Sequence, residues 1–305
     1  MYRVIANFAK VIFPKSIRSS LQKHIVKLQL LLARLVFMRK SKEGPQYLEM
    51  GELEELQAVY RRSTEREYSY DTDSLLGRGK ERAEALEDMI ARHAPGARTI
   101  VELGCGDGMT LWALARDDRI LTGIDHSDDR FDRRARDKGV NFVKESVSRI
   151  DEPDQSVDLI FSFNAFEHFS DPASVYQEIS RTLRPGGIFY TNFGPLYNSP
   201  WGLHGYDVVG VPFCQHLFCQ KTLDTYCDAH HLPRISFDYV NKWSHQALES
   251  LFHSKSEMMK NIIYRTFRST HGIDLILKHP RCFRNKVTSL DELLNSSIEL
   301  LQKKQ

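Results

Sequence analysis

Acidic residues are missing from the first 42 positions, which hold ten Lys and Arg. That absence excludes a self-neutralised leader and leaves a segment suited to an anionic partner, either a membrane surface or nucleic acid. The rest of the chain carries 32 basic and 40 acidic residues, a net charge of −8. Such a body is a poor surface for broad nucleic-acid binding. Cysteine is scarce too. Five thiols in 305 residues exclude a disulfide framework, and the odd count fits a reducing compartment, the cytoplasm. Long apolar runs are also lacking. The most apolar stretch, Leu28 to Met38, is broken by Gln29 and Arg34 and falls short of the ~20 residues that span a bilayer. No small-residue cleavage site follows it, so a cleaved secretory signal is not expected. Internal repeats and low-complexity segments are absent. What remains is 41% apolar and 27% charged, the make-up of a soluble globular chain with one large domain and extensions.

Residues 1–42 read as a basic amphipathic helical extension. Pro14 separates a leading segment from a helix starting near Ser16, and Ile17, Leu21, Ile25, Leu28, Leu32 and Leu35 recur at spacings of four and three. Arg18, Lys23, Lys27 and Arg34 fall beside that stripe. Three readings stay open: an interfacial helix on an anionic membrane, a helix packed on the protein's own body or a partner, and a transit peptide. Gly44-Pro45 reads as a break. Residues 43–98 form a helical lead-in with an irregular patch from Ser69 to Gly79. From Thr99 strand and helix alternate. Strands are expected at Thr99–Leu103, Ile120–Ile124, Val140–Val143, Val157–Phe163, Ile188–Phe193 and Ile235–Val240, with a seventh at Ile273–Leu277. A charged helix is expected at Asp128–Lys138, another from Asp171-Pro172 to Leu183, and one at Thr222–His230. The alternation implies a doubly wound α/β fold over residues 99–280, interrupted by an insert at 194–220 and followed by a helical tail at 281–305.

The most informative stretch is Val101-Glu102-Leu103-Gly104-Cys105-Gly106-Asp107-Gly108. An apolar strand ends in a turn with three glycines, which lets a ligand lie against main chain, and a helix pattern follows. A dinucleotide fingerprint would read G-x-G-x-x-G, but here the third glycine comes one position early and Met109 takes its place. With it come Gly123-Ile124-Asp125, Ser156-Val157-Asp158-Leu159-Ile160, Glu167-His168 and Leu183-Arg184-Pro185-Gly186-Gly187. In this order and spacing the set resembles class I S-adenosylmethionine-dependent methyltransferases (Rossmann-like, methyltransferase-domain-11-like), over about residues 75–240. The resemblance implies a seven-stranded, mostly parallel sheet with its last strand antiparallel, and S-adenosylmethionine as methyl donor.

The residues suit that ligand physically. Gly104 and Gly106 let the methionine part pass close to backbone. Glu102 attracts its cationic end, or pairs instead with an upstream arginine such as Arg78 or Arg82. Asp125, 19 residues beyond Gly106, accepts hydrogen bonds from a ribose diol, as carboxylates do in dinucleotide folds. His126 stands beside the adenine, and Cys105 and Gly108 belong to the turn. By resemblance Ser146, Val147 and Asn164 complete the pocket. Ser146 stands where the family often has Asp.

The reacting end belongs at Asn164–Asp171 and in the insert, whose aromatics and histidines suit either a lid or packing on the body. His168, His204 and His216 are the candidate general bases for a hydroxyl acceptor. The run Cys214, His216, Cys219, Cys227, His230, His231 matches no common zinc spacing, and no metal site is expected. The expected function is methyl transfer to a small or glycan- or lipid-linked acceptor, in the cytoplasm or on the inner face of a membrane reached through residues 1–42, without nucleic acid. Protein or nucleic-acid methylation competes, although Ser162-Phe163-Asn164-Ala165 replaces the Asn-Pro-Pro-aromatic run of base-amino methylation. So does a non-catalytic binding module, against which the intact Glu102, glycine turn and Asp125 argue.

Overall fold

Leu-rich sequence without internal Gly or Pro makes Lys15–Met38 a single helix, α1, in the computed structural model, which describes residues 15–38, 44, 46–60 and 69–305. The leading segment 1–14 and part of the Gly44-Pro45 break lie outside the described residues. Helix α2 is Met50–Tyr60 and α3 is Thr72–His93. The patch expected to be irregular is mostly the first turns of α3, because the Asp71 carboxylate caps it by accepting from Ser74 N at 2.9 Å. Gly79 in this helix is needed for space: a Cβ there would lie 2.5 Å from the Met109 carbonyl oxygen.

Then come β1 (Thr99–Leu103), α4 (Met109–Leu114), β2 (Ile120–Asp125), α5 (Arg133–Asp137), β3 (Asn141–Lys144), β4 (Val157–Phe163), α6 (Pro172–Thr182) and β5 (Leu183–Phe193). The charged helix α5 is shorter than expected because Asp132, not Asp128, caps it. Beyond the insert lie α7 (Cys214–Leu217), α8 (Gln220–Ala229), α9 (His245–His253), β6 (Met259–Arg268), α10 (Ile273–Lys278), α11 (Leu290–Leu294) and β7 (Asn295–Lys304).

The seven strands form one sheet in the order β3-β2-β1-β4-β5-β7-β6. The first five pair in parallel, and β7 runs antiparallel to both its neighbours. Alternate residues of each strand face opposite layers. Val101, Ile160, Phe189 and Leu300 pack under α6 and α9 with Val175, Ile179 and Phe252. Ile100, Leu159, Ile188 and Leu301 pack under α3 and α4 with Leu86, Ile90 and Leu111. A third cluster stands apart: Ala33 of α1, Leu53 of α2, Leu203 and Phe213 of the insert, Ile276 of α10 and Leu294 of α11.

The C-terminal third corrects three expectations. Ile235–Val240 is not a strand; its backbone is held by one side chain, since Gln220 Nε2 donates to Ile235 O at 2.7 Å and Gln220 Oε1 accepts from Phe237 N at 3.2 Å. Ile273–Leu277 is helical, headed by Gly272 at φ 69° with Asp274 in its first turn. The tail 281–305 is not helical throughout, because Asn295–Lys304 is the strand β7. Its Leu, Glu, Gln and Lys are good helix formers in isolation, but two flanking strands satisfy its backbone, and Lys304 Nζ donates to the carbonyls of Ser180 and Leu183, both at 2.7 Å.

Asp158 on β4 pins the foot of the sheet. Its carboxylate accepts from Arg98 N at 2.7 Å and Thr99 N at 2.8 Å and pairs with the Arg184 guanidinium. Asp158→Ala leaves these donors without their acceptor, so denaturant unfolding is expected to show a loss of roughly 2–3 kcal/mol.

Candidate functional site

The strand order reverses between β1 and β4, and a crevice of about 900 Å³ opens there at the carboxyl ends of the strands. The glycine turn forms its floor. Gly104 and Cys105 N–H groups both donate to Ile124 O, at 2.8 and 3.2 Å. Gly104 has φ +70°, and a Cβ on it would sit 2.5 Å from the Ala165 Cβ. Gly106, Asp107 and Cys105 line the crevice. The Cys105 thiol is itself buried, and that burial raises its pKa far above the ordinary thiol range. Gly108 is a correction: it stands back from the crevice and heads α4 at φ +73°, with the Phe142 ring in the space a Cβ would take.

Two carboxylates mark the cofactor half. Glu102 is 3% exposed, and its Oε2 has no hydrogen-bond partner. Burial raises its pKa well above the usual carboxylate range, opposed by the positive charge of Arg82 and helped by the negative charges of Asp107 and Asp125. A cationic ligand is the partner such an oxygen lacks. Asp125, at the end of β2, accepts from Gly106 N at 2.9 Å and Ser127 N at 3.3 Å, and the exposed His126 ring lies 2.9 Å away. A carboxylate has about four lone-pair directions, so it retains capacity for ligand hydroxyls, and the His126 ring is free to turn aside. Ser146, Val147 and Asn164 line the same half. The Ser146 hydroxyl is engaged with Ser148 at 2.7 Å; Asn164 sits at φ 48° with its N–H donated to Asn192 O at 2.9 Å.

The other half gathers Glu167, His168 and His204. The Glu167 side chain is buried; Oε1 accepts from Gly194 N at 3.2 Å and Oε2 has no partner. With no cation beside it, burial pushes its pKa up to about 8. His168 Nδ1–H donates to Tyr239 O at 2.9 Å, and His204 Nε2–H donates to Pro195 O at 2.9 Å. Backbone carbonyls can only accept, so each ring keeps its other nitrogen as a lone pair. Burial holds both imidazoles neutral, lowering the pKa of His168 and bringing His204 to about 4. The three side chains each offer one ligand atom, all within 4.8 Å of one another, a spacing that could also hold a cation.

His216 is the second correction. It is buried at 3% exposure in the third cluster, against Phe213 and Phe283, and does not line the crevice. The insert is packed body rather than open flap, with Trp201, Leu203, Phe213 and Leu217 all buried. Tyr70, Arg130 and Tyr239 also line the crevice and escaped the sequence reading, since they come from connecting segments without a motif. Glu167 had a visible signal: a lone carboxylate between Phe166 and Phe169.

Strand order, glycine turn and the two carboxylates define a Rossmann-like nucleoside-binding fold. The family described as a methyltransferase domain matches residues 101–191. A "probable S-adenosylmethionine-dependent methyltransferase" of Mycolicibacterium smegmatis is 33% identical over 109 residues, 35% of this chain and 42% of the relative. A ubiquinone biosynthesis O-methyltransferase of Coxiella burnetii is 24% identical over 131 residues, 41% and 54% of the two chains. The chain thus spans about half the length of the curated relatives it matches. An S-adenosylmethionine-dependent methyltransferase structure from Mesorhizobium loti aligns at 19% identity and a TM-score of 0.45, covering 75% of this chain and all of that one. Residues 101–191 thus carry a methyltransferase domain, and S-adenosylmethionine-dependent methyltransferases are among the relatives of this region. The cofactor of that class fits what is present: a partnerless buried Glu102 oxygen for positive charge, bare Gly104 backbone for close approach, and Asp125 for a ribose diol.

Proposed function

We propose that the protein transfers the methyl group of S-adenosylmethionine to a hydroxyl oxygen of a small or glycan- or lipid-linked acceptor. The observation that carries this reading is the pair of neutral histidines, each pinned by a backbone carbonyl and both lining the crevice with buried Glu167. Bound S-adenosylmethionine supplies an electrophilic methyl on a good leaving group, so the protein's task is alignment and proton removal. Glu102 and Asp125 hold the donor. His168 or His204 takes the acceptor's hydroxyl proton as its oxygen attacks, and Glu167 holds Gly194, next to the Pro195 whose carbonyl pins His204. The site belongs in the cytoplasm, at the inner face of a membrane where the acceptor is lipid-linked.

The test is calorimetry with S-adenosylmethionine, followed by a panel of phenolic, sugar and lipid-linked sugar acceptors with S-adenosylhomocysteine as readout. One-site binding and acceptor-dependent product are expected. His168→Ala and His204→Ala together should lower turnover about 100-fold or more with donor affinity unchanged. Absence of donor binding would sink the reading, and undiminished turnover in the double variant would remove the histidines from it.

A further inference from the structure

The apolar stripe of α1 and the face by which α1 is docked are different faces. Ala33 is fully buried, and Leu30 and Phe37 pack beside it on the third cluster. Arg284 Nε donates to the Val36 carbonyl at 3.2 Å, tying down the last turn of the helix. At about 100° per residue, Leu21, Leu28, Leu31, Leu32 and Leu35 point the other way. They are exposed at 40%, 56%, 56%, 43% and 47%. Scattered surface leucines need no explanation, but five on one helix face form a contiguous patch. Lys23, Lys27 and Arg34 are exposed along one flank of it, and no acidic residue occurs anywhere in α1.

We propose that this outward face of α1 docks in the headgroup region of an anionic bilayer. The helix would lie in the plane of the surface, with its leucines in the acyl boundary and its basic flank on the lipid phosphates. No helix among the described residues is long and apolar enough to cross a membrane, so the contact is peripheral. A second copy of the chain is the competing occupant, since Leu21, Leu28 and Leu35 follow a heptad. Charge decides between them. Paired α1 helices would face Lys27 and Arg34 with no acidic residue to match, whereas coiled coils pair opposite charges beside the seam. Anionic lipid supplies the missing sign.

The cluster that seats α1 also contains Leu203 and Phe213 of the insert, and the insert brings His204 to the crevice. A docked α1 would then share a packed core with the insert that brings His204 to the acceptor side of the site, which suits a lipid-linked acceptor. That last step rests on the reaction proposed above; the docking does not.

The test is sedimentation of the full chain with phosphatidylcholine vesicles, with and without phosphatidylglycerol. Wild type should pellet with the anionic vesicles only. Leu28→Glu with Leu35→Glu changes exposed positions and should lower the partition at least tenfold, while unfolding temperature and donor binding by calorimetry stay unchanged. Lys23→Glu with Lys27→Glu should do the same by reversing the charged flank. Pelleting of the leucine variant equal to wild type would overturn the proposal. So would failure of wild type to pellet, alongside a dimer in analytical ultracentrifugation that the leucine variant abolishes. Donor calorimetry on each variant keeps failure of the docking distinct from failure of the methyltransferase reading.

Discussion

Asp125→Ala is expected to lower affinity for S-adenosylmethionine about 100-fold or more. A charged acceptor contributes ~1.5–3 kcal/mol per hydrogen bond, and a ribose diol offers two donors. The loss of both comes to ~3 kcal/mol at least, or roughly two decades in Kd. The variant also frees Gly106 N, which the carboxylate holds at 2.9 Å, so the floor of the crevice loosens with it. Asp125→Asn retains one acceptor oxygen for Gly106 and should fall between wild type and alanine. Isothermal calorimetry reads all three, with a thermal melt to show that the fold persists. Equal affinities would mean that the donor lies elsewhere.

Glu167→Gln is expected to stabilise the protein at alkaline pH and remove a slope from its stability curve. The carboxyl's ordinary pKa of 4.5 rises to about 8 in the fold because burial disfavours its charge. Between those values the native state holds a proton that the unfolded chain has released, so stability is full below pH 4.5 and falls as pH rises toward 8. One proton gives a slope of at most ~1.4 kcal/mol per pH unit, an upper limit of about 5 kcal/mol over the window. Gln keeps the oxygen that accepts from Gly194 N and cannot ionise. Denaturant unfolding at several pH values should show the decline in wild type and its absence in the variant. The acid side should be common to both proteins. His204 and His216 are lowered by burial to about 4 and about 3, so their contribution is present above 6.5 and is lost as pH falls toward those values. An alkaline decline of equal size in the variant would show that Glu167 is ionised in the fold.

Much of the architecture was legible because its causes are local. Strands β1, β2, β4 and β5 are largely apolar runs closed by turn signals, and α5 and α6 carry their own caps, Asp132 and Asp171. The placement of Glu102, the glycine turn and Asp125 at one crevice was legible for the same reason, since they sit at strand ends that position themselves. Gly108 was misassigned because a glycine serving a ligand and a glycine making room for Phe142 look alike in sequence. His216 was misassigned because a histidine under Phe213 and Phe283 reads, as a string, like one facing solvent.

The sequence by itself determined the doubly wound sheet through β5, the glycine turn at the end of β1 and the basic character of the first 42 residues, since each depends on residues adjacent in the chain. Only the tertiary structure decided the rest. Strands β6 and β7 exist because distant segments satisfy one another's backbone, against the helical leaning of Asn295–Lys304. Glu167 and His168 meet His204 because the packed insert folds back over the crevice. The leucines of α1 remain outside because Ala33, Leu30 and Phe37 are the residues that found a surface to pack on. Non-local contacts of this kind follow from what the whole chain buries, and no short window of sequence contains that choice.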